Sequence, residues 1–304
     1  MEGYLIMFGP NTYFQGSVDI CYSHRDKQFF DLFHNTKELF AEKFGLHDYD
    51  VLFVPGSGTV GIEALLFSLK LPVRMIGHDG VFTRRWAEMN KTHPKKADVH
   101  THTHTHAHAH DMFCLFETSC SGYFSQEGCL VDAISGFPYY DIPQNTRAFV
   151  TCLNKQIGTY VGLSVVCVRK NFWDNLIGDD VMSYLNLARY RRYHEIDQTP
   201  STSPTYIYQN LFERLKTFDL AALRYKIDTV SDIVTDAVGA ENVIGEIRAP
   251  AITIKENVIP PELAKEYELY GVWTGKRNLQ VFTYSEPIEH YERVFGEIKA
   301  RMRG

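Results

Sequence analysis

Between His24 and Phe44 the large apolar residues fall at Phe29, Phe30, Leu32, Phe33, Leu39, Phe40 and Phe44, with charges between them. That three-to-four-residue spacing predicts an amphipathic helix, and Gly45 is placed to end it. A short apolar run, Val51 to Val54, then breaks at Pro55-Gly56-Ser57-Gly58, and a second helical pattern runs from Thr59 through Leu69. Further runs at Met112 to Phe116, Leu130 to Val131, Phe149 to Cys152 and Leu163 to Val168 read as strands. Apolar strands alternating with helices predict an α/β domain around a largely parallel sheet.

After about Tyr193 the pattern changes. Gln198 to Thr205 is a turn-rich connector, and Tyr206 to Gly239 reads as one long amphipathic helix. Strands at Ala251 to Ile254 and Leu279 to Tyr284 and a charged helix from Ile288 to Arg303 complete a smaller α+β unit. The division expected is a large domain over 1–195 and a small C-terminal domain over 196–304 that includes the connecting helix.

The chain has 304 residues, 44% of them hydrophobic, and a net charge of −6. It can bury a sizeable core, which argues against a disordered chain, and its charge argues against a strongly basic nucleic-acid binder. The basic cluster Arg189, Arg191, Arg192 is short and reads as a solvated helix end. No apolar run reaches the roughly 18–20 residues of a membrane-spanning helix, and the start MEGYLIMFGPN lacks a basic leader region. Several of the six cysteines lie in strand-like apolar runs, as buried thiols of a cytoplasmic protein do.

One segment is of low complexity, with histidines at every even position from His100 to His110. Alternating imidazoles on an extended chain share a face and can capture a soft divalent metal. A solvated loop with incidental metal affinity explains the same pattern. The tract does not resemble a structural zinc site, which draws its ligands from separate elements, and no resident metal is expected.

Three local features carry chemistry. In Pro55-Gly-Ser-Gly-Thr59, between a strand and a helix, glycines let the backbone approach an anion that the first free N–H groups of the helix can hold. Plain architecture uses such turns as well, and the segment is neither a Walker A loop nor GxGxxG. Asp132 ends a short apolar strand, as a functional acid or a helix cap. Lys155, in Leu153-Asn154-Lys155-Gln156-Ile157-Gly158, sits between two strands, as a functional amine or an ordinary hairpin lysine.

Taken in order, these features resemble the class V aminotransferases, fold type I enzymes that use pyridoxal phosphate, and most of all the phosphonoethylamine–pyruvate and alanine–glyoxylate enzymes. The matching segments are FGPNT near the N-terminus, His24-Arg25, PGSGT, GVFTRR (Gly80 to Arg85), ETSCSG (Glu117 to Gly122), VDAISGF (Val131 to Phe137), LNKQIGTYVG (Leu153 to Gly162) and TSPT (Thr202 to Thr205). They span roughly residues 8 to 205 in the family's order.

The resemblance implies a mainly parallel large domain of the seven-stranded type, shortened here, with a smaller C-terminal domain. It makes Lys155 the Schiff-base lysine and proton carrier and pairs Asp132 with the pyridine nitrogen. Ser57, Gly58 and Thr59 would bind the phosphate, with Asn154 adding a contact. Phe82 would stack on the ring and Thr118 lie near its phenolic oxygen. The residue matching Thr202 reaches the phosphate of the neighbouring subunit, which implies a homodimer with shared sites. The N-terminal segment would contribute to the mouth of the site.

Two departures stand out. Family members carry an Arg in an LRIG-like strand near the C-terminus to grip the substrate's acidic group; here the strand reads Asn278-Leu279-Gln280-Val281-Phe282. Gln280 replaces that Arg, so either Arg277 or Lys276 substitutes or the substrate differs. The stretch between GVFTRR and ETSCSG is also short. The expected activity is transfer of an amino group from a small amine or amino acid to a 2-oxo acid. The alternatives are a pyridoxal-phosphate decarboxylase or lyase, in which the pocket selects another bond, and a non-catalytic protein on the same fold.

Overall fold

The structure, a computed structural model, describes residues 23–92, 110–195, 203–271 and 278–303. In chain order its elements are α1 (Lys27–Lys43), β1 (Tyr49–Pro55), α2 (Gly58–Ser68), β2 (Val73–Met75), α3 (Val81–Thr92), β3 (His110–Cys114), β4 (Phe116–Glu117) and β5 (Gly122–Tyr123). There follow β6 (Leu130–Asp132), β7 (Ala148–Cys152), β8 (Leu163–Arg169), α4 (Leu187–Glu195), α5 (Thr205–Thr217) and α6 (Leu220–Val238). The last are β9 (Val243–Ile244), β10 (Ala251–Ile254), α7 (Pro261–Glu266), β11 (Leu279–Phe282) and α8 (Ile288–Arg303).

The described residues hold a six-stranded sheet in the order β1-β8-β7-β6-β3-β2. Strands β2, β3, β6 and β7 pair in parallel, whereas β8 runs antiparallel to both β7 and β1. Every residue of β6 and β7 is buried, as expected for strands covered on both faces. Alternation along β1 sorts its side chains: Val51 and Phe53 join the core under α1 and α5, while Leu52 and Val54 join the core under α2 and α4. The result is a three-layer α/β arrangement. A second, three-stranded sheet, β11-β10-β9, packs with α6 and α8 around Val230, Val234, Val281 and Phe295.

The helix expected over 206–239 is two helices, α5 and α6. Phe218 between them is extended and buried in the core with α1, and the Asp219 side chain caps α6 by accepting from the Ala222 N–H at 3.0 Å. The break lets α5 face the large sheet while α6 turns Ile227, Val230 and Val234 to the small one. The expected boundary at residue 195 therefore precedes a helix that packs with the large sheet.

His110, the last histidine of the repetitive tract, is a buried residue of β3; it accepts from Arg147 Nη1 at 3.0 Å and packs edge-on to Phe172. The rest of the tract lies outside the described residues, which contain no cluster of His, Cys, Asp and Glu suited to a metal. Arg191 lies over the Trp173 ring and Arg192 bonds Asp179 at 2.9 Å, so both are engaged within the fold. No helix among the described residues is long and apolar enough to cross a membrane.

Candidate active site

The parallel strands deliver their C-terminal ends to one side of the sheet, where the loops that follow can converge. At the end of β1 the chain turns through Gly56, whose φ of +132° suits a residue without Cβ and whose N–H donates to Gly162 O at 2.9 Å. Ser57 is extended and its side chain makes no cap bond. The first amides of α2, at Gly58 and Thr59, therefore end the helix with uncapped N–H groups and the positive end of its dipole. A Cβ at position 58 would lie 2.7 Å from Ile134 Cδ1, so any larger residue requires Ile134 to shift.

Asp132 ends β6 and is 6% exposed. Its Oδ2 accepts from Trp86 Nε1 at 2.7 Å and Cys114 Sγ at 3.4 Å, and its Oδ1 from the Ile134 N–H at 2.9 Å. Burial pushes the carboxyl above the usual carboxylate range; the bonds from Ile134 and Trp86 and the charge of Lys155 pull the other way.

Lys155 lies in the β7–β8 connection, and its Nζ donates to Ser135 Oγ at 2.7 Å. Gln156 locks the same turn, donating to Ser135 O at 2.7 Å and accepting from the Tyr139 N–H at 3.0 Å. Ser57, Gly58 and Thr59 line one cavity of about 170 Å³ together with Asp132 and Lys155. Phe82 and Asn154 line it as well, so seven residues singled out in the sequence meet in one place.

Thr118 is placed next door. It lines an adjoining cavity of about 280 Å³ with Ser119, Thr253 and Gln280, and Phe82 borders both spaces. Gln280 is buried, and its Nε2 donates to the Thr118 carbonyl; Thr253 Oγ1 donates to the same oxygen at 3.4 Å. Glu117, fully buried, accepts from the Thr83 N–H at 3.2 Å, Thr83 Oγ1 at 3.3 Å, and Ser119 Oγ at 2.8 Å. Its carboxylate thus sits at the N-terminus of α3 and fixes the helix that carries Phe82. Thr202, Arg277 and the segment FGPNT lie outside the described residues.

Sequence reasoning did not single out Trp86, Ser135 or Glu117. Trp86 carried one usable signal, its place one helical turn after Phe82. Ser135 and Glu117 lay inside matching motifs without a role of their own.

No family model matches the chain, and no curated protein sequence does. Solved structures do. An aspartate aminotransferase of subgroup IV from Thermus thermophilus superposes with a TM-score of 0.78 at 15% identity, over 99% of this chain and 100% of that one. An alanine–glyoxylate aminotransferase from Nostoc sp. gives 0.78 at 17% identity, over 98% of this chain and 94% of that one. A pyridoxal-phosphate-bound phosphoserine aminotransferase from Trichomonas vaginalis gives 0.71 at 15% identity, over 93% and 90%. The likeness runs over nearly the full length and establishes the fold type I architecture.

Proposed function

We propose that the protein is a pyridoxal-phosphate-dependent aminotransferase that moves an amino group from a small amine or amino acid to a 2-oxo acid. One observation carries the reading: a lysine amine, a buried carboxylate and an uncapped helix N-terminus open into a single cavity. These groups match the three handles of the cofactor, an aldehyde, a basic ring nitrogen and a phosphate dianion. The solved structures that share the fold are aminotransferases, one of them with this cofactor bound.

When bound, the cofactor supplies an electron sink for a carbanion at the substrate carbon. The protein does the rest. Lys155 anchors the aldehyde and, once released, carries a proton at Nζ; Ser135 Oγ holds that nitrogen at 2.7 Å. Asp132 keeps the ring nitrogen charged. The Gly58 and Thr59 amides, the Ser57 hydroxyl and Asn154 receive the phosphate, and Phe82 covers a ring face. Thr118 closes the site from the adjoining cavity, where Gln280 meets substrate; Arg277 is proposed as a further substrate residue.

Residues 1–195 would form the cofactor-binding domain and 196–304 the smaller one, with α5 as the connecting element that packs back on the large sheet. Val161, which lines the cavity, is 59% exposed, and Tyr160 beside it is 40% exposed, an apolar rim that a second copy would cover. A homodimer with Thr202 reaching across is therefore part of the proposal. So is a cytoplasmic setting, since Cys114, Cys129, Cys152 and Cys167 are buried free thiols.

Gln280 favours a second reading. An amide cannot neutralise an acid, so a decarboxylase or lyase on an unusual amino acid or amine is the rival. Half-reactions separate them. A transaminase loses the visible band of its bound cofactor on adding a donor amine and regains it with pyruvate or glyoxylate. A decarboxylase releases carbon dioxide with no oxo acid present. A lyase eliminates a group from its substrate with no oxo acid present, and a protein that does none of these refutes both readings.

A further inference from the structure

Helix α3 supplies two contacts to the candidate site, one turn apart. Phe82 and Trp86 both line the cavity, with ring centroids 6.1 Å apart and planes at 30°. Trp86 is 1% exposed within the core under α2 and α4. Packing alone would accept any large apolar side chain there. What distinguishes tryptophan is one N–H donor, and that donor is spent on Asp132 Oδ2 at 2.7 Å.

Asp132 is thereby held from three elements. Trp86 comes from α3, Cys114 from β3 and the Ile134 N–H from the turn after β6, with donors on both oxygens. Cys114 contributes the longest of the three bonds, and a thiol is a weak donor. Trp86 is the strong side-chain donor of the set. A charge-assisted hydrogen bond of this kind is short and directional, so it sets the plane of the carboxylate as well as its charge.

We propose that Trp86 is a positioning residue for the cofactor's ring nitrogen: its indole N–H orients the Asp132 carboxylate to pair with a pyridinium. The inference rests on the pyridoxal-phosphate reading and deepens it. It also gives α3 a double role, since Phe82 meets the ring face while Trp86 acts on the ring nitrogen through Asp132. Loss of the indole N–H weakens the hold on a ring that has a nitrogen and leaves a ring without one unaffected.

The test uses the full chain, stripped of cofactor and titrated with pyridoxal phosphate or with its 1-deaza analogue, in which C–H replaces the ring nitrogen. Trp86→Phe should weaken pyridoxal phosphate by about tenfold, the scale of one hydrogen bond to a charged group, and change the analogue's affinity by less than about twofold. Equal losses for both ligands, or no loss for either, overturn the proposal. A second measurement uses chain that keeps Trp86. Of the three tryptophan indole N–H resonances, the one that survives both Trp173→Phe and Trp273→Phe belongs to Trp86. It should move on binding pyridoxal phosphate and far less with the analogue; a resonance that stays put with pyridoxal phosphate bound overturns the inference even if Trp86→Phe does not fold. Wild-type chain that binds neither ligand removes the cofactor reading itself, an outcome distinct from failure at Trp86.

Discussion

Lys155 and Ser135 come from different connections of the sheet and meet with Nζ donating to Oγ at 2.7 Å. The contact joins the β7–β8 loop to the turn after β6, which also carries Asp132. Gln156, the residue after the lysine, bonds the Ser135 carbonyl, so the serine is gripped on its main chain and grips Lys155 with its side chain.

Ser135→Ala therefore removes the restraint on Nζ and leaves the Gln156 clasp in place. The expected result is a fall in kcat of about tenfold with a stability change of at most about 1 kcal/mol. Steady-state kinetics alongside thermal melting checks it. A large loss of stability with kcat unchanged would show that the bond is structural.

Asp132 gives a pH prediction with a definite sign. Its folded pKa is raised above the ordinary value of 3.8, so the native state binds the proton more tightly than the unfolded chain. In cofactor-free protein this contribution costs stability as pH rises from 3.8 through the raised value. Asp132→Asn removes the titration. The melting-temperature difference, variant minus wild type, should grow in the variant's favour from acid to neutral pH, while kcat of the loaded enzyme falls by at least about a hundredfold. A pH-independent difference would contradict the assignment.

Gly80 touches the acid that anchors α3. A Cβ there would lie 2.1 Å from Glu117 Cγ and Cδ, and Glu117 is held by Thr83 and Ser119. Gly80→Ala should cost about 1–3 kcal/mol, seen as a lower Tm, and weaken cofactor binding by displacing Phe82. Unchanged melting would mean that the turn relaxes freely.

Gln280→Arg tests the substrate cavity. The guanidinium can still donate to the Thr118 carbonyl, and it brings a positive charge to a space bordered by Thr118, Ser119 and Thr253. The kcat/KM ratio for an amino acid over the matching amine without its carboxylate should rise about tenfold. An unchanged ratio would place substrate recognition elsewhere.

Much of this arrangement was legible in the chain. Runs such as 149–152 and 163–168 are apolar but for Thr151 and Ser164 because both sheet faces are covered, and they became β7 and β8. The motif residues Ser57, Asp132 and Lys155 follow strand ends, so their meeting follows from the parallel topology. Strands β5 and β9 were hidden because two residues are too short to show a period, and β2 because Arg74 interrupts its apolar residues. The α5–α6 break was hidden because Phe218 keeps an apolar residue at a helical position while leaving the helix to reach the core. The partnership of Trp86 with Asp132 spans 46 positions, and a periodicity carries no information at that range.

The proposed activity requires that Lys155 hold pyridoxal phosphate in the cavity it shares with Asp132 and the start of α2. The most direct test loads purified full-length chain with the cofactor, records the near-visible spectrum, reduces with borohydride and maps the labelled peptide. A visible band with the label on Lys155, both absent in Lys155→Ala, is the expected result. No band, or a label on another lysine, would contradict the account.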